Sequence, residues 1–594
     1  MDPTSQNATK GTINSVFPQR RRFPLFGFSS VQIPEELASF DDDEALPVID
    51  LDSQLPGSQQ QQQQEQGVIE VKTYPELSAV AKSSSHQNFN ILIHMKAPKS
   101  SDETTDHNQN KTSTTTTTDN SRAGAPLDLV AVLDVSGSMD GSKLALMKQA
   151  MGFVIQNLGP SDRLSIVSFS DRSQRICPLR LMNQSGKQFA LQSVHNLTIL
   201  GGTHIAAGLQ TGAKVMTDRR YKNPVASIIF LSDGCDTYTV NNQRSNNNMA
   251  AGYDQLIPSS IRPGENRPSV PIHTFGFGSD HDPALMNTVA EATRGTFSFV
   301  ESVDTIQDAF AQCIGGLLSV VVQELQVKVE SDHKDLRLSS IKAGSYKTYI
   351  PLDARTGFIE VGDLYAEEER NFLVEIDIPQ SSNSDSIMQV LKISYAYKCP
   401  ISKQLITREN VEKASIERPE FLIIPPQVSV EVDRERSRVE TAEAIAKAKA
   451  EAEEGNLAGA KGTLEECRGR ISGTRLRRRG EGDLDEEKVL ESLEEELLEI
   501  EKKMVNMRVY MKSGRALAMS GLNSHMQQRA ATTSFGFGSK MQLDTCSATR
   551  SSSYQTPHMA KMVQQSRRTL NSNSADQRLP PSEAELMPPP PPGP

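Results

Sequence analysis

Tryptophan is absent from the 594-residue sequence, and aromatic residues make up only 5% of it. Hydrophobic residues reach 37%. That is too little apolar material for a chain folded throughout, so stretches without a packed core are expected. Cysteine is scarce as well: six residues, Cys177, Cys235, Cys313, Cys399, Cys467 and Cys546, with no two at CxxC spacing. This excludes a zinc site built from cysteine pairs and argues against a disulfide framework. No apolar run reaches the ~20 residues needed to span a bilayer, and no hydrophobic signal core opens the sequence. The expected location is therefore intracellular and cytoplasmic, with the nucleus as the alternative. An excess of positive charge is also missing. The formal net charge is −11, which leaves no electrostatic footprint for nucleic-acid binding.

What is present divides by pattern. Residues 1–67 hold a basic spot (Arg20, Arg21, Arg22), an acidic one (Asp41, Asp42, Asp43, Glu44) and a Gln run from Gln59 to Gln64. Such composition predicts disorder, with the basic triplet either a solvated tail or a nuclear signal. Residues 68–97 predict two strands, the second alternating Phe89, Ile91 and Ile93. Residues 98–124 form a Ser/Thr/Asp-rich linker, and a globular domain covers 125–321. Residues 322–432 alternate again, at Leu325, Val327, Val329, at Phe372, Val374, Ile376, Ile378, and at Leu391, Ile393, Tyr395, Tyr397. That predicts an antiparallel β-sandwich. A lone hairpin is barely stable, so the strands in 68–97 are expected to complete this sandwich, with the 125–321 domain inserted between its two parts.

Residues 433–515 switch to helix. An Ala/Glu/Lys-rich stretch from Arg434 to Glu454 is broken at Gly455-Asn456 and followed by a second helix over about Leu457 to Arg470. A basic loop, Arg475 to Gly482, leads to a third helix. In it Leu490, Leu493, Leu497, Ile500, Met504, Met507 and Met511 repeat in heptad fashion. The seam packs either on the two preceding helices, as in a helical bundle, or on another chain as a coiled coil that would give a homo- or hetero-oligomer. Residues 516–594 are read as a mostly disordered tail. Its Pro588 to Pro592 run is either a polyproline II docking segment or a plain terminus.

Within 125–321 the apolar run Leu127 to Leu133 predicts a central parallel strand buried on both faces. Asp134-Val135-Ser136-Gly137-Ser138-Met139 follows it directly, and a helix pattern begins at about Ser142 with Leu144, Met147, Met151, Val154 and Leu158 on one face. Leu164 to Phe169 predicts a strand, and Thr203 opens a helix after Gly201-Gly202. Val225 to Leu231 predicts a strand ending in Ser232-Asp233-Gly234. Ile272 to Phe277 predicts another, with a helix from near Pro283. Repeated βαβ units make a doubly wound, mostly parallel α/β sheet, whose ligands bind at the carboxyl ends of the strands. Aspartate and hydroxyl oxygens are hard donors that suit Mg²⁺, with Mn²⁺ or Ca²⁺ as alternatives. Asp134, Ser136, Ser138, Thr203 and Asp233 supply five such oxygens, direct or through water, and leave a coordination position open to an acidic group of a partner.

DxSxS, a downstream Gly-Gly-Thr and a strand-ending Ser-Asp-Gly, in that order, resemble the von Willebrand factor A (VWA) and integrin I-domain family. Its metal-ion-dependent adhesion site reads DxSxS…T…D. The resemblance implies the same five ligands, with Asp233 commonly acting through water. A wider resemblance, over roughly residues 41 to 565, is to the plant wavy-growth group of RING–VWA ubiquitin ligases. It rests on Asp41 to Glu44, on Val71 to Pro98, on Gly514-Arg515-Ala516 through Ser520, His525 and Gln528-Arg529-Ala530, and on Tyr554-Gln555-Thr556-Pro557. Those ligases begin with a RING of eight Cys/His ligands, whereas here the first cysteine is Cys177. The expectation is a chain without ligase activity.

Two functions follow as expectations. One is a protein-binding scaffold that engages an acidic residue of a partner through the metal site. The other is a RING-less subunit or regulator in a ubiquitination pathway, with ubiquitin-pathway components as partners. Hydrolytic use of the metal lacks a positioned base, since His204 beside Thr203 reads as a helix-cap neighbour. No GxGxxG follows the first strand, which disfavours a nucleotide site. Cys235 reads either as a buried structural thiol or as a redox-sensitive one.

Overall fold

The structure is a computed structural model. It describes residues 40, 44–46, 68–100, 124–238, 256–264, 269–278, 280–302, 305–381, 385–424, 426, 428–478, 484–531 and 554–576. The expectations for residues 1–39, 41–43, 47–67 with the Gln run, the linker core at 101–123, the end of the basic loop at 479–482, the tail at 532–553 and the final proline run lie outside these.

The first strand, β1 (Glu70–Pro75), pairs antiparallel with β2 (His86–Lys96). Phe89, Ile91, Ile93 and Met95 of β2 all enter one apolar core. The chain then leaves this sheet and builds the α/β unit. β3 (Leu127–Asp134) is buried at every position, as a strand covered on both faces requires. Helix α1 (Ser142–Asn157), β4 (Arg163–Phe169), β5 (Ser173–Leu181), α2 (Gln184–His195), α3 (Ile205–Asp218) and β6 (Val225–Ser232) follow. They are succeeded by β7 (Ile272–Phe277), α4 (Pro283–Ala292), β8 (Phe297–Val300) and α5 (Ile306–Leu317). The sheet order is β5-β4-β3-β6-β7-β8, parallel except for the β4–β5 pair. β3 lies centrally, and the strand order reverses beside it. The carboxyl ends of β3 and β6 are therefore neighbours at the switch point, where open α/β sheets hold ligands.

The chain returns through β9 (Val320–Ser331), β10 (Leu338–Lys342), β11 (Lys347–Tyr349), β12 (Thr356–Tyr365), β13 (Glu369–Ile378), β14 (Ile387–Lys398) and β15 (Leu405–Glu417). β13 pairs with β2, so one sheet reads β1-β2-β13-β10, and the facing sheet reads β11-β12-β9-β14-β15. The strands before and after the α/β unit thus share one sandwich core, which holds Phe89, Ile91 and Ile93 with Val327, Val329, Phe372, Val374, Ile393 and Tyr395. Helix α6 (Val430–Glu453) lies outside the smaller sheet. Its Val432 covers Leu92 and Leu373, whose side chains face away from the sandwich core.

Gly455, at φ +89, ends α6, and α7 (Leu457–Arg478) and α8 (Leu484–Lys502) follow. Helix α7 runs eight residues past the expected end at Arg470. The stretch up to Arg478 holds three Arg and one Leu, good helix formers, which carry the helix on past Gly473. The heptad seam is buried within the chain at Leu490, Leu493, Leu497, Ile500 and Met504. It stops there. α8 ends at Lys502, and a new helical turn starts at Met507 with Asn506 as its cap, which leaves Met507 and Met511 exposed.

The tail is the largest correction. A π-helical turn at Tyr510–Gly514 leads into α9 (Arg515–Gln527), and α10 (Pro557–Asp576) packs on α5. Residues 554–576 are ordered because Met559, Met562 and Val563 enter the core of the α/β unit, and residues 516–531 because polar side chains among them satisfy buried backbone beside the buried Leu517 and Met519. Composition alone does not reveal that. β8 is the edge of the α/β sheet, and α9 supplies the bonds a further strand would make. Phe297 N–H donates to Asn523 Oδ1 at 3.0 Å, and Ser520 Oγ donates to Phe297 O at 2.9 Å. Edges are commonly shielded by covering them, here with a helix. Asn523→Ala should leave the buried Phe297 N–H unpaired and lower stability by about 1–3 kcal/mol, read as an earlier thermal transition.

Glu44 is a smaller correction to the disorder expected over residues 1–67. Its carboxylate accepts from Leu181 N at 2.8 Å and from Arg180 Nε at 3.3 Å. Among the described residues, no helix is long and apolar enough to cross a membrane.

Candidate metal centre

Three loops meet at the carboxyl ends of β3 and β6. The first leaves β3 at Asp134 and is held at Val135 on both sides. Val135 N donates to Phe169 O at 2.9 Å, and Leu200 N donates to Val135 O at 2.7 Å. A 3₁₀ turn at Gly137–Met139 then exposes Ser138 while Ser136 stays buried. Gly137 N donates to Gly201 O at 3.0 Å, tying this loop to the Gly201-Gly202-Thr203 loop. That second loop runs against Asp171. A Cβ on Gly201 or Gly202 would run into the Asp171 carboxylate and displace it, so the glycines let it sit against the loop. Gly202 N and the Tyr238 hydroxyl both donate to Asp171 Oδ1. These bonds, the hydroxyl's first, hold the Asp171 carboxyl below its ordinary range. Thr237 N donates to Thr203 O at 3.0 Å, joining the second loop to the third, which leaves β6 at Ser232-Asp233-Gly234.

The five expected ligands are brought together. Ser136 and Ser138 hydroxyl oxygens are 3.0 Å apart, and Ser138 Oγ donates to Asp233 Oδ1 at 2.7 Å. Ser136 N donates to Asp134 Oδ1 at 2.8 Å, and Ser232 Oγ donates to Asp134 Oδ2. A Cβ on Gly234 would stand 3.1 Å from Thr203 Oγ1 and 3.3 Å from Ser138 Oγ, so both hydroxyls lie against Gly234. Both carboxylates are fully buried, and Ser138 is the exposed member of the set. Burial pushes the Asp134 carboxyl up to about 6 against the pull of its hydrogen bonds from Ser136 and Ser232. Two desolvated carboxylates and three hydroxyls, all hard oxygen donors, fit a small divalent cation. Among the described residues no three or more His, Cys, Asp or Glu cluster so as to hold a metal ion, so a cation here would depend on the hydroxyls beside the two carboxylates.

Three residues were missed in the sequence. Ser232 and Asp171 orient Asp134 and the Gly-Gly loop. Lys143, in the first turn of α1, pairs with Asp233 Oδ2. Ser232 is legible as the neighbour of Asp233, whereas Asp171 has no signal in the sequence and Lys143 none beyond its nearness to DxSxS. His204 is the N-cap position of α3 and stacks on Tyr238 with centroids 4.9 Å apart. Cys235 is exposed rather than buried. Its Sγ donates to Asp280 O at 3.1 Å, and partial burial of the thiol with the nearby carboxylates of Asp282, Asp280 and Asp236 raises its pKa.

Residues 128–312 match the family model of the von Willebrand factor type A domain, and residues 487–568 match the model described as VWA / Hh protein intein-like. The E3 ubiquitin-protein ligase WAV3 of Arabidopsis thaliana is 32% identical over 57% of this chain and 42% of its own length. The probable E3 ubiquitin-protein ligase WAVH2 of the same plant is 29% identical over 68% of this chain and 52% of its own. The chain thus spans about half the length of these relatives. Among solved structures, von Willebrand factor type A from Catenulispora acidiphila aligns with a TM-score of 0.47 at 15% identity, over 70% of this chain and 91% of that one. Residues 128–312 are a von Willebrand factor type A domain, set in a chain similar to the E3 ubiquitin-protein ligases of Arabidopsis.

Proposed function

We propose that this chain is an intracellular protein-binding scaffold in which Asp134, Ser136, Ser138, Thr203 and Asp233 hold a divalent cation, Mg²⁺ or else Mn²⁺ or Ca²⁺, and so engage an acidic residue of a partner protein. The observation that carries this is the convergence of the two buried carboxylates and the serine hydroxyls on one patch that opens to solvent at Ser138. When bound, the cation offers a coordination position that an anionic oxygen can take. The chain's own part is to hold the oxygens in place, through Ser232 on Asp134 and Asp171 on the Gly-Gly loop. A pulldown with the wild-type chain in Mg²⁺ and in EDTA, beside Asp134→Ala, tests it. A partner retained only by the wild type and only with metal supports the reading. Partners indifferent to both changes count against it.

The likeness to ubiquitin ligases favours a second reading of the same surface. In it the chain binds a target as a subunit or regulator of protein ubiquitination and does not itself transfer ubiquitin. Self-ubiquitination of the purified chain with E1, E2 and ATP would rule out the latter part.

A further inference from the structure

Lys143 stands where a helix least favours it. The first turn of a helix carries the positive end of the dipole, and α1 begins at Ser142. Its side chain is three-quarters buried, and its ammonium lies on Oδ2 of Asp233, whose side chain is fully buried. The other oxygen of Asp233 accepts from Ser138. Asp134, by contrast, is met by a backbone N–H and a hydroxyl, which are dipoles without net charge. The two carboxylates are therefore not equivalent, since one has a full counter-charge and the other has none.

The charge balance follows. Two carboxylates and one ammonium leave the pocket with a single negative charge. A divalent cation turns this into a single positive one, whereas without Lys143 the loaded pocket would be neutral. An ammonium this close to the ligand set also repels the incoming ion, because charges in such a poorly solvated place interact strongly. We propose that Lys143 is the charge-setting residue of the site: paired with Asp233, it lowers cation affinity and keeps the loaded site positive, so that the site selects a carboxylate-bearing ligand over a neutral one. This rests on the metal-binding reading above and adds the basis of its ligand preference.

The test is calorimetric titration of the full chain with Mn²⁺, for wild type, Lys143→Met, Lys143→Arg and Asp134→Ala. Acetate serves as the anion probe, its methyl NMR signal broadened when it sits on the Mn²⁺-loaded site. Lys143→Met is expected to bind Mn²⁺ about tenfold more tightly or better. At equal Mn²⁺ occupancy it should broaden acetate less than wild type, while Lys143→Arg behaves as wild type. A wild type that binds Mn²⁺ and loses it in Asp134→Ala, with Lys143→Met unchanged or weaker, sinks this inference and leaves the metal reading standing. Equal behaviour of the Met and Arg variants sinks it too, since the charge is then irrelevant. Absence of Mn²⁺ binding in wild type and Lys143→Met alike overturns both readings, and binding gained only in Lys143→Met supports the inference directly.

Discussion

Asp134→Ala is expected to erase the stabilisation of the chain by Mg²⁺ while leaving the metal-free chain folded. A ligand that binds only the native state adds about 2.7 kcal/mol at 100 times its Kd. Wild type should show that gain in unfolding curves with Mg²⁺ against EDTA, and the variant should show none. The metal-free fold should survive because the buried Asp134 carboxylate is no asset to it. Burial pushes its pKa up to about 6, and the nearby Asp233 carboxylate opposes its ionisation. Its removal relieves a desolvated charge and costs only the acceptor for Ser136 N–H and the Ser232 hydroxyl. If Asp134→Ala were unfolded in EDTA, those two bonds would be structural and the account of the site as a binding device would fail.

Arg529→Ala should be severely destabilising. Arg529 is buried, donates to Glu368 Oε1 at 2.8 Å and Oε2 at 2.9 Å and to Asp363 O at 2.8 Å, and lies 4.1 Å over the Tyr365 ring. Arg370 adds an ion pair to Glu368 at 2.8 Å, and Gln528 bonds both backbone groups of Asn371. This cluster fastens the end of α9 to the sandwich. Breaking a buried ion pair by removing one partner costs about 3–5 kcal/mol. The expected readouts are a large fall in the unfolding midpoint and early proteolysis within 515–531. Burial alone would raise the Glu368 carboxyl, but Arg370 and Arg529 outweigh it and hold it at about 2, against an ordinary 4.5. A depressed carboxyl stabilises the fold above its unfolded value and loses that contribution as pH falls through its folded value. Wild type should therefore lose stability between about pH 4.5 and 2, and Arg529→Ala should lose less across that window. An unchanged acid profile would show that Glu368 is not held by Arg529.

Local signals account for what was legible. A strand buried on both faces leaves an unbroken apolar run, so Leu127 to Leu133 announced β3, and Ile272–Phe277 was delimited at both ends. Period-two alternation exposed β2, β9, β13 and β14, since a half-buried strand writes its inner face into every second residue. The five candidate ligands were legible because each sits at a strand end or loop whose apolar neighbours mark it. The antiparallel edge strand β5 was not seen, because its run Ser173–Leu181 mixes Arg, Cys and Pro and its burial is uneven.

Residues 516–531 misled for a different reason. Ser520, Asn523, Gln528 and Arg529 are polar, and polar residues without an apolar period read as solvated. Here their partners are the free edge of β8 and the Glu368 cluster, more than a hundred residues away in the chain.

The sequence by itself determined the four central strands β3, β4, β6 and β7 of the α/β unit with α1, α3 and α4, alternating strands on either side of it and the five candidate ligands, since periodicity and strand-end chemistry are local. The tertiary structure alone decided that Lys143 meets Asp233, that Asp171 holds the Gly-Gly loop and that α9 covers β8. Those contacts join segments whose separate patterns carry no trace of one another, and a hydrogen bond or ion pair exists only once folding has brought both partners out of water to the same place.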